Sequence, residues 1–127
     1  MMISYVTLGT NNIEKANSFY DALLGELGAK RVVDSGHLTI WGVEANRGML
    51  GVIRPFNGEA ATIGNGSMAA IAVESREMVG KLHAMALSLG GSDEGAPGPR
   101  GTRKTEFAYI RDPEGHKIAF FCMNGGH

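Results

Sequence analysis

The sequence predicts an α+β fold made of two modules with the same order of elements, strand–helix–strand–strand–strand. Two stretches with apolar residues at helical spacing begin near Asn12 and Ser75, and short β-branched or aromatic runs surround each of them. Glycine accounts for 19 of the 127 residues and is scattered, which is typical of many tight turns between short strands. The length suits one domain, residues 1–127, whose halves share a pattern of elements without sharing residues.

The first module is predicted over about residues 2–56. Its helix has an N-cap candidate in either Asn11 or Asn12, and Gly25 and Gly28 supply its end. The predicted elements are a strand at 3–8, a helix at 13–24, a hairpin of strands 29–33 and 38–43, and a strand at 49–54.

The second module is predicted over about residues 67–124, after a linker at 57–66. Ser75 is the candidate N-cap of its helix, and Asp112–Gly115 has the residues that a type I turn favours. Residues 92–104 are polar and rich in glycine and proline, so any strand there is expected to be short. The other predicted elements are a strand at 68–73, a helix ending at Gly90, and hairpin strands at 107–111 and 117–123.

Composition excludes several classes of protein. Twelve basic and 13 acidic side chains give a net charge of −1, which removes the electrostatic reason to expect nucleic acid or an anionic membrane as a partner. The single cysteine, Cys122, excludes an intrachain disulfide and a thiolate-rich zinc site. No apolar run approaches the length of a membrane span, and the first residues lack the pattern of a signal peptide. We therefore expect a cytoplasmic domain.

Several motifs resemble those of the vicinal oxygen chelate superfamily, which contains glyoxalase I, bleomycin- and fosfomycin-resistance proteins and extradiol dioxygenases. The resemblance covers about Ile3 to Met123 and implies that each module curls into a half-open cup, with two cups facing each other around a ligand. Its motifs are Asn11–Ala16 followed by Phe19-Tyr20, Leu24-Gly25 and Arg111–Lys117. Two further motifs, Arg54–Gly58 and Gly64–Gly66, are similar to those of a bacterial group of small glyoxalase-like proteins.

The resemblance also implies where a divalent metal would be held, by His or Gln on the first strand of each module and Glu on the last. These positions fall on Tyr5, Met68 and Ala119, and the first module's last strand, Met49–Ile53, has no carboxylate. A phenol, a thioether and a methyl group do not form a ligand set for a hard or borderline cation. We therefore predict no metal cofactor and no metal site, and the catalytic residues, if the protein is an enzyme, stay unknown.

The alternative is a metal-dependent lyase or isomerase of the glyoxalase I class, or a relative of the dioxygenases, with displaced ligands. Zinc, nickel or manganese would then be held by His37, Glu44, Glu106 or a partner chain. The other histidines are His83, His116 and His127, and no two histidines have the i, i+4 spacing of a helical metal site.

Strand periodicity indicates which side chains share the face that the family turns into its cup. Alternate residues of a strand point to the same side of a sheet, so an apolar and aromatic lining suited to a flat ligand is expected. The alternative is that the cup binds no ligand because its own side chains fill it. The predicted lining residues are Tyr5, Thr7, Trp41, Met68, Ala70, Phe107, Tyr109, Ala119 and Phe121. Among them the facing of Trp41 is not assigned by periodicity, and packing in the core is the alternative role for this single tryptophan.

Two further expectations concern ligand charge and assembly. In relatives the stretch with Arg100, Arg103, Lys104 and Arg111 can cover the mouth of the cup, where it would favour an anionic ligand; a solvated loop explains the same charges. A homodimer is expected, because the rims of two four-stranded sheets are surfaces that a two-fold partner can cover.

Overall fold

Each half of the chain folds into one four-stranded mixed sheet with one helix packed on it. The structure, a computed structural model, describes residues 2–44, 47–102 and 105–123. One unit extends to Ile63 and the other begins at Gly64. The α+β class and the repeated order of elements are therefore confirmed. No helix in these ranges is long and apolar enough to cross a membrane.

The first unit has strand order β1-β4-β3-β2, with β1 parallel to β4 and the other pairs antiparallel. Helix α1 begins where predicted, because the Asn12 side chain accepts a hydrogen bond from the amide of Lys15 at 3.1 Å. The elements are β1 (Tyr5–Gly9), α1 (Ile13–Gly25), β2 (Lys30–Asp34), β3 (Leu38–Gly42) and β4 (Met49–Ile53).

The second unit repeats this topology with strand order β5-β8-β7-β6. The Ser75 hydroxyl caps α2 by accepting from the amide of Met78 at 3.1 Å. The elements are β5 (Met68–Ala72), α2 (Arg76–Ser88), β6 (Ser92–Arg100), β7 (Thr105–Arg111) and β8 (Lys117–Cys122).

The turn between β7 and β8 is fixed by one buried carboxylate. Asp112 Oδ1 accepts hydrogen bonds from the amides of Glu114, Gly115 and His116 at 2.9–3.0 Å. Gly115 has a φ of +110°, a conformation that glycine adopts without a steric penalty. The turn predicted from Asp112–Gly115 is present, and it sets the register of the two central strands of the second sheet.

The strand β6 corrects one prediction, because residues 92–100 form a nine-residue strand where only a short one was expected. Its glycines make room for the neighbouring strand: a Cβ on Gly95 would lie 2.8 Å from the ring of Tyr109. The register shifts twice, between Asp93 and Gly95 and between Gly95 and Gly98. Pro97 and Pro99 are tolerated because β6 lies at the sheet edge, where a missing amide hydrogen need not interrupt the ladder.

Each unit buries its core between its helix and one face of its sheet. The rings of Tyr20 and Trp41 lie 5.6 Å apart in the first core. In the second core, the side chains with no exposed surface are Val79, Leu82 and Ala86 of α2 and Ala108, Ile110, Ile118 and Phe120 of the sheet.

The segment predicted as a linker is attached to the first unit at one residue. Asn11 Oδ1 accepts from the amide of Ala61 at 2.7 Å, and Asn11 Nδ2 donates to the Ala61 carbonyl at 3.3 Å. This two-point contact holds the segment beside the start of α1. The boundary between the units follows at Ile63 and Gly64.

Candidate functional site

The second sheet presents one face to α2 and the opposite face away from it. In β7 buried and half-buried residues alternate strictly, so every second side chain points away from the helix. Register extends this face to the neighbouring strands. We call it the open face; its residues are Met68, Ala70, Ala72, Phe107, Tyr109, Lys117, Ala119 and Phe121.

The strand register aligns small and aromatic residues in rows across the open face. Ala70, Ala119 and Tyr109 are consecutive partners, and Gly95 of β6 completes their row. Since a Cβ on Gly95 would meet the Tyr109 ring at 2.8 Å, the absence of a side chain there allows the ring its position. The neighbouring row ends in the same way, with Gly98 opposite Phe107.

Three rings of the open face stand nearly parallel. The ring centroids of Phe107 and Tyr109 are 5.6 Å apart at an interplanar angle of 11°, and those of Phe107 and Phe121 are 5.2 Å apart at 14°. All three side chains are half-buried. We call these three residues the aromatic row. A row of partly exposed parallel rings is a surface on which a flat apolar molecule can stack.

Two cations lie at the Tyr109 end of the aromatic row. Lys117 Nζ is 5.0 Å from the centroid of the Tyr109 ring, and the guanidinium carbon of Arg100 is 5.7 Å from it. Both distances are within the range of a cation–π interaction. Arg100 also donates to the carbonyls of Ala96 at 2.8 Å and Pro99 at 3.3 Å. The sequence argument missed Lys117, although its spacing of two from Ala119 places it on the same face.

The other residues of the predicted basic stretch are not placed at the Tyr109 ring. Arg111 donates to Glu94 Oε1 at 3.0 Å and to the carbonyl of Gly115 at 3.0 Å, so its charge is balanced by a carboxylate. Arg103 and Lys104 lie outside the described residues, as does His127.

One hydrogen bond ties β6 to α2 beside the aromatic row. His83 Nε2 lies 2.9 Å from Asp93 Oδ1, which also accepts from the amide of Gly95 at 3.0 Å. The hydrogen bond from His83 lowers the pKa of the Asp93 carboxyl, with a smaller contribution from the Gly95 amide. His83 is 8% exposed, so it serves as an internal tether that positions Gly95 opposite Tyr109.

In the first unit, the predicted lining residues Tyr5 and Thr7 share one face of β1. Their register partners on β4 are Met49 and Gly51. Tyr5 is 50% exposed. A hollow of about 330 Å³ begins beside this face, lined by Val32, Gly42, Val43, Glu44 and Met49.

The prediction that Trp41 shares this lining face is wrong. Trp41 is 2% exposed and lies on the α1 side of the first sheet, where its Nε1 donates to Asp21 Oδ1 at 2.9 Å. Arg31 donates to the same carboxylate through Nε at 2.9 Å and Nη2 at 2.6 Å. These hydrogen bonds from Arg31 lower the pKa of Asp21, against the opposing effect of partial burial; Trp41 lowers it further.

The residues at the family's metal positions do not fit a divalent cation. Met68 offers a thioether that is 45% exposed, and Ala119 offers only a methyl group with no exposed surface. The Tyr5 phenol is a poor ligand until it loses its proton. Lys117, on the same strand face as Ala119, adds a positive charge beside this position.

None of the displaced ligands considered in the alternative belongs to the open face. His37 precedes β3 and Glu44 follows it, both in the first unit. Glu106 lies on the α2 side of the second sheet, with its Oε1 3.9 Å from Arg76 Nε. Within residues 2–44, 47–102 and 105–123, no three His, Cys, Asp or Glu side chains are grouped closely enough to hold a metal ion.

Comparisons with known proteins agree on one superfamily. Its sequence profile, described as Glyoxalase/Bleomycin resistance protein/Dioxygenase superfamily, matches residues 2–120. A glyoxalase/bleomycin resistance protein from Albidiferax ferrireducens T118 is 39% identical, with a TM-score of 0.87 over 96% of this chain and 98% of that one. No curated protein matches the sequence.

More distant structures share the fold. A glyoxalase-related enzyme from Fulvimarina pelagi is 19% identical, with a TM-score of 0.75 over 96% of this chain and 88% of that one. A lactoylglutathione lyase from Agrobacterium tumefaciens is also 19% identical, with a TM-score of 0.70 over 96% and 93% of the two chains. These matches agree with the motifs, the repeated topology and the profile. The chain belongs to the Glyoxalase/Bleomycin resistance protein/Dioxygenase superfamily.

Proposed function

We propose that this protein is a cytoplasmic binder of a small, flat, apolar or aromatic molecule, which it holds on the open face without a metal at the family's ligand positions. The observation that supports this most directly is the aromatic row, Tyr109, Phe107 and Phe121, whose rings are half-buried and nearly parallel. Stacking on such rings contributes about 0.5–1.5 kcal/mol per aromatic pair beyond the burial of apolar area.

The surroundings of the row support a preformed surface. The rings stand on two central strands whose pairing is regular from Glu106–Cys122 to Arg111–Lys117. Ala119, the neighbour of Tyr109 in its row, has no exposed surface, whereas Ala70, the next member of the row, is exposed and small and so leaves room for a ligand at that end. A rigid platform loses little conformational entropy when a ligand binds. Lyase activity has no comparable support, because a fold shared at 19% identity does not carry an activity.

The substitution Gly95→Ala tests this proposal. The added Cβ would lie 2.8 Å from the Tyr109 ring and must displace it, so the affinity for a neutral probe, naphthylmethanol, is expected to fall about three- to tenfold. Titration followed by NMR chemical shifts of the protein measures it. The matched control is Gly80→Ala in α2, where a Cβ meets nothing within 4 Å. The control is expected to keep the affinity and to stabilise the fold by about 0.5–1 kcal/mol.

Two results would contradict the proposal. The first is no saturable binding of naphthylmethanol by the unmodified protein at millimolar concentration, where even weak stacking is visible. The second is an unchanged affinity in Gly95→Ala, which would place the bound probe away from Tyr109.

The proposal includes a homodimer. Large apolar side chains of both units remain exposed, among them Ile3 at 55%, Val32 at 55% and Met123 at 66%. Covering such side chains is a common reason for association. Sedimentation equilibrium at tens of micromolar is expected to give twice the chain mass of 13.5 kDa. A mass of one chain at that concentration would contradict the dimer.

A further inference from the structure

Lys117 of the open face and Arg100 of β6, the two cations at the Tyr109 ring, have no acidic partner within the described ranges of the chain. Lys117 contacts the Tyr109 ring, and Arg100 contacts that ring and two carbonyls of its own strand. Arg100 uses two of its five N–H donors in this way, so three remain for a ligand. The nearby carboxylate of Glu94 is already paired with Arg111 at 3.0 Å. The Tyr109 end of the aromatic row therefore carries uncompensated positive charge.

This charge stands beside the place where the family's ligand set would gather a divalent cation. Lys117 precedes Ala119 by two residues on the same strand face, and Tyr109 is the register partner of Ala119. A fixed ammonium group raises the energy of any cation brought near it and lowers the energy of an anion. The electrostatic preference at this position is thus opposite to that of a metal site.

We infer that the ligand is a planar aromatic monoanion, whose ring stacks on the aromatic row and whose charged group pairs with Lys117 and Arg100. This inference rests on the proposed function and adds the charge of the ligand to it. Apolar stacking supplies affinity for any flat ring, while the two cations select among rings by charge.

A charge series of probes with one ring system tests the inference: naphthoate, naphthylmethanol and naphthylmethylammonium. Two partly exposed ion pairs are expected to make the Kd of naphthoate about tenfold lower than that of naphthylmethanol. The ammonium probe is expected to bind most weakly. Raising the salt concentration is expected to lower the affinity for naphthoate and to leave the affinity for naphthylmethanol unchanged, because salt screens only the contact between charged groups.

Lys117→Gln removes one of the two charges and keeps a side chain of similar length. We expect it to lose most of the preference for naphthoate while retaining the affinity for naphthylmethanol. The matched control is Lys15→Gln, at an exposed position of α1 in the first unit, which changes the net charge of the protein equally. This control is expected to keep the tenfold preference, which separates a local contact from the overall charge.

The outcomes distinguish the two proposals. Equal Kd values for the three probes would overturn the inference and leave the proposed function standing, whereas no binding of any probe would remove both. A preference that survives Lys117→Gln, or that disappears in Lys15→Gln, would also overturn the inference. So would competition between naphthoate and self-association in sedimentation, because the open face would then be an interface between copies of this chain.

Discussion

The combined substitutions Met68→His and Ala119→Glu are expected to create a binding site for nickel or zinc on the open face of the second sheet. The family resemblance assigns both positions to metal ligands. Imidazole nitrogen and carboxylate oxygen suit such cations, whereas the native thioether and methyl group do not. Either substitution alone is expected to do little, because a single protein ligand leaves the cation mostly hydrated.

The same variant is expected to be less stable than the native protein when metal is absent. Ala119 has no exposed surface, so Ala119→Glu forces a carboxylate into a packed position between Ala70 and Tyr109. An incompletely satisfied buried carboxylate costs about 2–4 kcal/mol. A metal that binds only the folded state stabilises it by about 2.7 kcal/mol when the free metal concentration is a hundred times the Kd. Thermal unfolding with and without nickel or zinc measures both effects.

Two comparisons make this experiment decisive. Ala119→Gln has the same size as Ala119→Glu without the charge, so its combination with Met68→His leaves one good ligand, and its melting temperature should respond to metal much less than that of the double variant. Tight stoichiometric metal in the unmodified, tag-free protein would contradict the proposed metal-free binding. A double variant that never responds to metal would contradict the assignment of Met68 and Ala119 to the family's ligand positions.

Asp21→Ala is expected to lower the free energy of unfolding by about 1.5–4 kcal/mol. The carboxylate accepts from the buried Trp41 Nε1 and from two nitrogens of Arg31. Loss of the acceptor leaves the indole N–H unsatisfied, which costs about 1–3 kcal/mol, and the partly exposed ion pair adds about 0.5–1 kcal/mol. Urea denaturation measures the loss. Asp21→Asn retains an acceptor for Trp41 and should lose less, and a loss below 1 kcal/mol in Asp21→Ala would contradict the expectation.

The contribution of the Asp21 carboxylate to the free energy of unfolding is expected to fall when the pH is lowered. Because Arg31 lowers the pKa of Asp21 in the folded protein below its ordinary value of 3.8, its contribution is fully present above that pH. The contribution is lost as the pH falls through the lower folded value. Asp21→Asn is therefore expected to reduce the acid loss of stability without abolishing it, because the pKa of Asp93 is lowered as well. If the free energy of unfolding fell with pH equally steeply below about pH 4 in the native protein and in Asp21→Asn, this expectation would be contradicted.

Local signals in the sequence were sufficient for the helices and for most strands. Asn12 and Ser75 cap their helices because the capping contact spans three residues and needs no tertiary partner. The strand β6 could not be predicted in this way. Its glycines and prolines are typical of a loop, and its extended form depends on pairing with β7 across a register that shifts twice.

The direction of a side chain in the candidate site could be predicted where a strand alternates between buried and half-buried residues, and could not be predicted elsewhere. Phe107 and Tyr109 share a face because β7 alternates strictly between buried and half-buried residues. Trp41 lies in β3, where four consecutive residues are buried, so periodicity held no information about its direction. Its hydrogen bond to Asp21 and the pairing of Arg111 with Glu94 are contacts between distant residues, which one sequence alone does not disclose.

The prolines of β6 also restrict how this chain can associate with copies of itself. An added strand needs a continuous ladder of donors and acceptors on the edge that receives it. Pro97 and Pro99 lack amide hydrogens, and the two register shifts further disrupt the edge. This side of the second sheet is therefore a poor template for intermolecular strand addition, and amyloid-like growth along it is disfavoured. At this edge, a second copy of the chain would have to associate through side chains and not through an added strand.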